Sequence, residues 1–165
     1  MKFKKTTESQ GLPREEFEYT SETSEKIFAE ENIGNYSAKI KNICSSIKKS
    51  KGIILIYSNY IDSGVIPVAL ALEQMGFSRY GSYAKSLFKT PPTDSIDAIQ
   101  FKTKSEIEEG STFFSAKYVI ISGDKIISPN NREDVIALTN DDNKNGEKVK
   151  VVIISKAGSE GLDFK

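Results

Sequence analysis

Histidine is absent from the 165 residues, and cysteine occurs once, at Cys44. The first absence removes His-based triads, imidazole proton shuttles and the commonest metal ligand. A single thiol cannot form an internal disulfide, leaves a structural zinc site without a ligand set, and fits a reducing compartment. No apolar run approaches the length of a membrane span, and Met1 is not followed by the apolar core of a signal peptide. The expectation is a soluble intracellular protein with no membrane partner. Charge of one sign is missing too, because 23 Lys and Arg balance 23 Asp and Glu. A polyanionic partner would therefore need a local basic patch, which composition does not reveal. The apolar fraction of 38% is a little below the globular norm and 28% of residues are charged. That implies a solvated portion beside a real core, in a chain whose length suits one domain.

What is present is organised after the first 34 residues. Residues 1–34 are polar and charged, with Gly11, Pro13 and Gly34 as breakers. They read as an N-terminal linker or arm with a short helix near Ser24 to Glu31. Tyr36, Ile40, Ile43, Cys44 and Ile47 then recur at helical spacing among lysines, with Ser37 as a plausible N-cap and Lys48 and Lys49 suiting the C-terminal end of the dipole. The run Gly52 to Tyr57 is short, continuous and rich in Ile, the pattern of a strand buried on both faces. Asp62 or Ser63 opens a second helix, which carries Ile66, Ala69, Leu70 and Leu72 and stops at Gly76.

Residues 78–116 are irregular, with turns at Pro91-Pro92 and Gly110 to Thr112 and a short strand over Ala98 to Phe101. Tyr118 to Ile121 is a second buried strand, closed by Ser122-Gly123-Asp124. A helix over Asn131 to Thr139 packs Val135, Ile136 and Leu138. A polar turn with Asn145-Gly146 leads to a third strand, Val149 to Ile154. Strands alternating with helices predict an α/β fold with a mostly parallel sheet, whose ligands bind at the carboxyl ends of the strands.

Three of those strand ends carry small polar loops: Ser58-Asn59, Ser122-Gly123-Asp124 and Ser155 to Asp163. In the last, Lys156-Ala157-Gly158-Ser159-Glu160-Gly161-Leu162 leaves a buried strand, and its glycines allow backbone amides to approach an anion closely. Asp163 is placed to accept from a ribose hydroxyl or an arginine. On spacing alone the plainer reading, a strand-to-helix turn with an N-capping Asp163, is the favoured one. Ser58 and Ser122 equally suit helix caps, and Arg132 a solvated helix position. Lys48, Lys49 and Lys51 suit a solvated helix end, while Tyr57, Tyr60, Tyr80 and Tyr83 suit either half-buried packing or base stacking.

The pattern Ser-x-x-x-x-Glu-Gly-x-Asp after a Val/Ile strand resembles motif V of superfamily 2 helicases. Ser122-Gly123-Asp124, then Asn131-Arg132, then the turn Asn140 to Glu147 match that family in order and rough spacing. Gly52 to Asn59 and the Ile66 to Phe77 helix are similar to motif IV. "Ile-Tyr-Ser-Asn-Tyr" followed by "Ala-Leu-Ala-Leu-Glu-Gln-Met-Gly-Phe", with Tyr36 to Ile40 at the helix start, resembles the helicase-like ATPases of large DNA viruses of eukaryotes. Those include the poxvirus nucleoside triphosphatase and early transcription factor subunit families and their giant-virus relatives. The resemblance covers roughly residues 34–165, and 78–116 looks like a lineage insertion.

The resemblance implies the second RecA-like motor domain, three-layered and of the P-loop NTPase type without the P-loop, truncated between motifs V and VI. It implies nucleic-acid backbone contacts from Ser58, Asn59, Ser122, Gly123, Arg132 and Ser155, with Arg132 pairing a phosphate. It implies that Glu160, Gly161 and Asp163 face a cleft for ATP and Mg²⁺, both held mainly by a first RecA-like domain. DNA is the implied nucleic acid in preference to RNA. Viral transcription machinery is an implied partner, and the virion or host cytoplasm an implied location. The departures are as informative. The sequence has no Gly-x-x-x-x-Gly-Lys-Thr loop, no Asp-Glu pair in strand context and no Gln-x-x-Gly-Arg-x-x-Arg segment. Missing arginine fingers alone cost orders of magnitude in phosphoryl transfer, so the chain by itself is expected to have no catalytic residues and no ATPase activity. Two rival readings stand beside this one: a non-catalytic helicase-like module that binds nucleic acid or protein, and an unrelated small α/β nucleotide-binding protein or transferase.

Overall fold

The computed structural model describes residues 2–7, 13–19, 25–81, 85–92 and 94–160. An antiparallel hairpin, β1 (Lys2–Thr7) and β2 (Pro13–Glu18), comes first. It is followed by α1 (Glu30–Tyr36) and α2 (Ala38–Lys49). Strand β3 (Ile54–Ser58) leads through a π-helical turn, Ile61–Val65, into α3 (Ile66–Gln74). Next come β4 (Ser78–Arg79), β5 (Lys117–Ile121), α4 (Asn131–Thr139), β6 (Val151–Ser155) and the single turn α5 (Lys156–Ser159). Strands β3 to β6 form one all-parallel sheet in the order β3-β6-β5-β4, flanked by helices, so the α/β expectation holds.

Side chains on a strand alternate between faces, and here the two sets enter two separate clusters. Tyr118, Ile120, Val151 and Ile153 pack with Cys44 and Ile47 of α2 and with Val68, Ala69 and Leu72 of α3. Val119, Ile121, Val152 and Ile154 pack with Ala137 and Leu138 of α4. Helix α2 starts where the sequence places it, because the Ser37 side chain accepts from the Ile40 amide at 3.2 Å. Gly76 ends α3 with φ +101°, a conformation that suits glycine alone, and a Cβ there would lie 2.6 Å from the Asp94 carbonyl.

Several expectations are corrected. The helix near Ser24 to Glu31 lies later, at Glu30–Tyr36. The N-terminal segment reaches the core as well, since Phe17 is buried and its amide and carbonyl bond the Leu87 carbonyl and the Lys89 amide at 2.8 and 3.0 Å. Strand β3 is not buried on both faces: it is the sheet's edge, and Leu55 and Tyr57 are 62% and 54% exposed. Ala98 to Phe101 is a turn rather than a strand, because buried Asp97 holds the amides of Ile99 and Gln100 at 2.8 and 2.7 Å and Phe101 has φ +55°. Ile136 faces solvent on α4, while Ala137 and Leu138 supply the packing. Within 78–116, Ser78–Arg79 is itself the outermost strand of the sheet, pairing Lys117 and Tyr118.

A buried carboxylate fastens part of this irregular segment. Glu73 on α3 accepts from the Tyr118 hydroxyl, the Ser86 hydroxyl and the amides of Leu87 and Phe88, at 2.7, 2.6, 2.8 and 3.1 Å. Four donors satisfy a charge that burial alone would make expensive. The same desolvation, with the Glu73 charge beside it, raises the Tyr118 hydroxyl well above its ordinary pKa.

Candidate nucleic-acid interface

Parallel strands deliver their carboxyl ends to one edge of the sheet, and the register sets which loops meet there. Ser58 pairs Ser155 across β3 and β6, and Ile121 pairs Ile154 across β5 and β6. The ends that carry Ser58-Asn59, Ser155 and Ser122-Gly123 therefore sit side by side, each about 4.8 Å from its neighbour.

Each loop has its own local reason. At β3, the Ser58 hydroxyl donates to the Tyr60 carbonyl at 3.0 Å and accepts from the Tyr60 amide at 3.3 Å. Gly64 packs over it, where a Cβ would fall 2.0 Å from the Ser58 oxygen. Asn59 is exposed, with its Oδ1 accepting from the Tyr57 hydroxyl at 2.9 Å. At β5, the Ser122 hydroxyl donates to the Asp124 carbonyl at 3.2 Å and accepts from the Asp124 amide at 3.1 Å. The turn is joined to α4 through Asn131, whose Nδ2 donates to the Ser122 carbonyl at 2.7 Å. Arg132, the next residue, is exposed on the first turn of α4. At β6, buried Ser155 caps α5 by accepting from the Gly158 amide at 3.1 Å.

The glycines of the third loop have a packing role. A Cβ on Gly158 would stand 2.2 Å from the Ile121 carbonyl oxygen, so α5 lies directly on the end of β5. Gly123 faces it, with room for a Cβ only 3.1 Å from the Ala157 methyl. Glu160 is exposed just after α5. Gly161 and Asp163 lie outside the described residues.

Sequence reasoning passed over Arg79. Its guanidinium donates to the Ile127 carbonyl in the loop after β5 and to the Lys85 carbonyl at 3.3 Å, so it ties β4 to both segments. Near it, Asp134 on α4 is buried, and its Oδ1 has no hydrogen-bond partner among the described residues. Burial pushes the Asp134 carboxyl up to about 6, against the opposing pull of the Arg79 charge. No periodicity or motif marks Arg79, because its role depends on chain brought in from elsewhere. Cys44 takes no part, and burial pushes its thiol up to about 11, the state of an inert core residue.

The edge thus joins Ser58, Asn59, Ser122, Gly123 and Ser155 from three loops, with Arg132 on the helix that the second loop opens. The chain is similar to a viral termination factor. It is 33% identical over 166 residues to the termination factor NPH-I homolog of African swine fever virus, in the isolates Tick/South Africa/Pretoriuskop Pr4/1996 and Warthog/Namibia/Wart80/1980. The alignment takes in 95% of this chain and 23% of each relative. The homolog from the isolate Tick/Malawi/Lil 20-1/1983 is 32% identical over 170 residues. The chain therefore spans about a quarter of the length of the curated relatives it matches. No family model and no solved structure matches it. Among the described residues, no helix is long and apolar enough to cross a membrane.

Proposed function

We propose that the chain is a second, RecA-like motor domain, three-layered, of a superfamily 2 helicase or translocase that acts in viral transcription. The observation that carries this reading is the convergence of the Ser58, Ser122 and Ser155 loops on one carboxyl edge of a parallel sheet, the place where such sheets bind ligands. Likeness to a viral termination factor along 95% of the chain supports it. The contacts with nucleic acid run through Arg132, the Asn59 amide group and the backbone amides around Gly123, because the Ser58 and Ser122 hydroxyls donate and accept within their own turns and Ser155 is buried as the cap of α5. Arg132 pairs a phosphate and supplies salt-dependent affinity.

The described residues of this edge do not by themselves fit a triphosphate, since Glu160 is an exposed carboxylate and an anion there would need cations. ATP and Mg²⁺ belong to a first motor domain of a longer parent, and this chain contributes one wall of that cleft. Binding of labelled single-stranded DNA by the isolated chain, measured against salt, tests the reading. The expected result is weak affinity that falls steeply with salt and drops several-fold in Arg132→Ala, with no ATP hydrolysis. Affinity indifferent to salt, or DNA-stimulated hydrolysis by the pure chain, would count against it. The engaged hydroxyls also favour a second reading, a helicase-like module that binds without driving a motor. Normal coupling in a longer parent that carries Arg132→Ala would favour that one.

A further inference from the structure

A groove of about 590 Å³ runs between α2 and the free edge of β3. Ile43, Ile47, Ile54 and Ile56 line it together with Lys39 and Tyr57. Along β3 toward the carboxyl edge, Tyr57 is 54% exposed and Tyr60 is 70% exposed. The Tyr57 ring is held in place by the bond from its hydroxyl to Asn59. Both tyrosines flank the Ser58-Asn59 loop of the proposed interface.

Charge is unevenly distributed along the chain. The chain has equal numbers of acidic and basic residues, yet residues 32–61 hold Lys39, Lys41, Lys48, Lys49 and Lys51 and not one Asp or Glu. That window contains the whole of α2 and β3. Of these, Lys39 lines the groove, Lys48 pairs with Glu30 and Lys41 lies against Gly34 of α1. A carboxylate-free wall beside exposed aromatic rings suits a polyanion that carries flat apolar groups. Unpaired bases have free faces to stack on tyrosine, whereas a duplex conceals them.

We propose that this groove and the Ser58-Asn59 loop beside it bind single-stranded nucleic acid, with bases stacked on Tyr57 and Tyr60 and the backbone phosphates drawn to Lys39. The inference rests on the nucleic-acid reading above and extends it from the strand-end loops to the edge of the sheet.

Labelled oligothymidylate tests it on the 165-residue chain, by anisotropy and by tyrosine emission, which no tryptophan obscures. Tyr57→Ala and Tyr60→Ala should each weaken binding about tenfold, and Tyr60→Phe should keep it. Lys39→Ala should cost about threefold and reduce the salt slope by about one. Duplex of the same length should compete poorly. All three side chains are largely exposed, so these variants keep the fold. Oligothymidylate binding that needs Arg132 but ignores both tyrosines and Lys39 would overturn the groove and leave the function intact. Absence of any binding by the unaltered chain would overturn both. Capture of an acidic, apolar peptide in place of oligothymidylate, lost in Lys39→Glu, would overturn the groove's assignment in favour of a protein partner.

Discussion

Strands β3 and β6 are neighbours in one sheet and are built from nearly the same residues, Ile-Leu-Ile-Tyr-Ser and Val-Val-Ile-Ile-Ser. Every residue of β6 is buried, whereas β3 alternates between half-buried and exposed. The difference comes from position. β6 has a strand on each side and helices over both faces, while β3 has a strand on one side only and no described element over Leu55 and Tyr57. A β-branched run therefore reports that a strand forms, and its neighbours decide how much of it meets water.

The sharpest way to break the comparison is to truncate one aliphatic side chain in each strand. Ile153→Ala, at a fully buried position, should cost about 2–5 kcal/mol in urea unfolding. Leu55→Ala, at a position 62% exposed, should stay within about 0.5 kcal/mol. Equal losses would mean that β3 is covered in solution. Glu73→Ala should destabilise by about 3 kcal/mol, because it strands the Tyr118 hydroxyl and the Leu87 amide inside the core. Protease cleavage near residues 85–89 should rise with it. A loss under about 1 kcal/mol would show that water replaces the carboxylate.

At the carboxyl edge, Gly158→Ala should cost about 1–3 kcal/mol, since the new methyl meets the Ile121 carbonyl and α5 must shift. Oligonucleotide affinity should fall with it if α5 positions the interface. The smallest expected effect is on pH dependence. The Asp134 carboxyl is raised in the folded state to about 6 from 3.8, so its contribution to stability is full below pH 3.8 and is lost as pH rises through 6. Asp134→Asn should match the unaltered chain at pH 3.5 and be the more stable of the two at pH 8. Parallel melting curves across that range would contradict the burial argument.

Much of the sheet was legible beforehand. The Ile- and Val-rich runs at 52–57, 118–121 and 149–154 correspond to three of its four parallel strands, and Asn131–Thr139 is the helix expected. Ser37 caps α2 as its side chain and position suggest. The fourth strand was not legible, because two residues, Ser78–Arg79, hold no periodicity to read. Nor was the turn at Ala98 to Phe101, where Asp97 outweighs the local strand tendency. At the candidate site, the strand-end serines and Arg132 could be picked out by residue type and order. That the serine hydroxyls bond their own turns could not, since it depends on the angle at which each chain leaves its strand.

Local chemistry was enough to specify an α/β chain whose strands end in small polar loops, because strand runs, caps and glycine turns act over a few residues. Strand order is a different kind of property. It emerges when distant segments compete for the same faces and edges, and it placed β6 at the centre, left β3 with an open side, and brought Glu73, Arg79 and the 85–89 segment together. The open side, with its exposed tyrosines and the groove beside Lys39, exists because nothing among the described residues pairs with that edge.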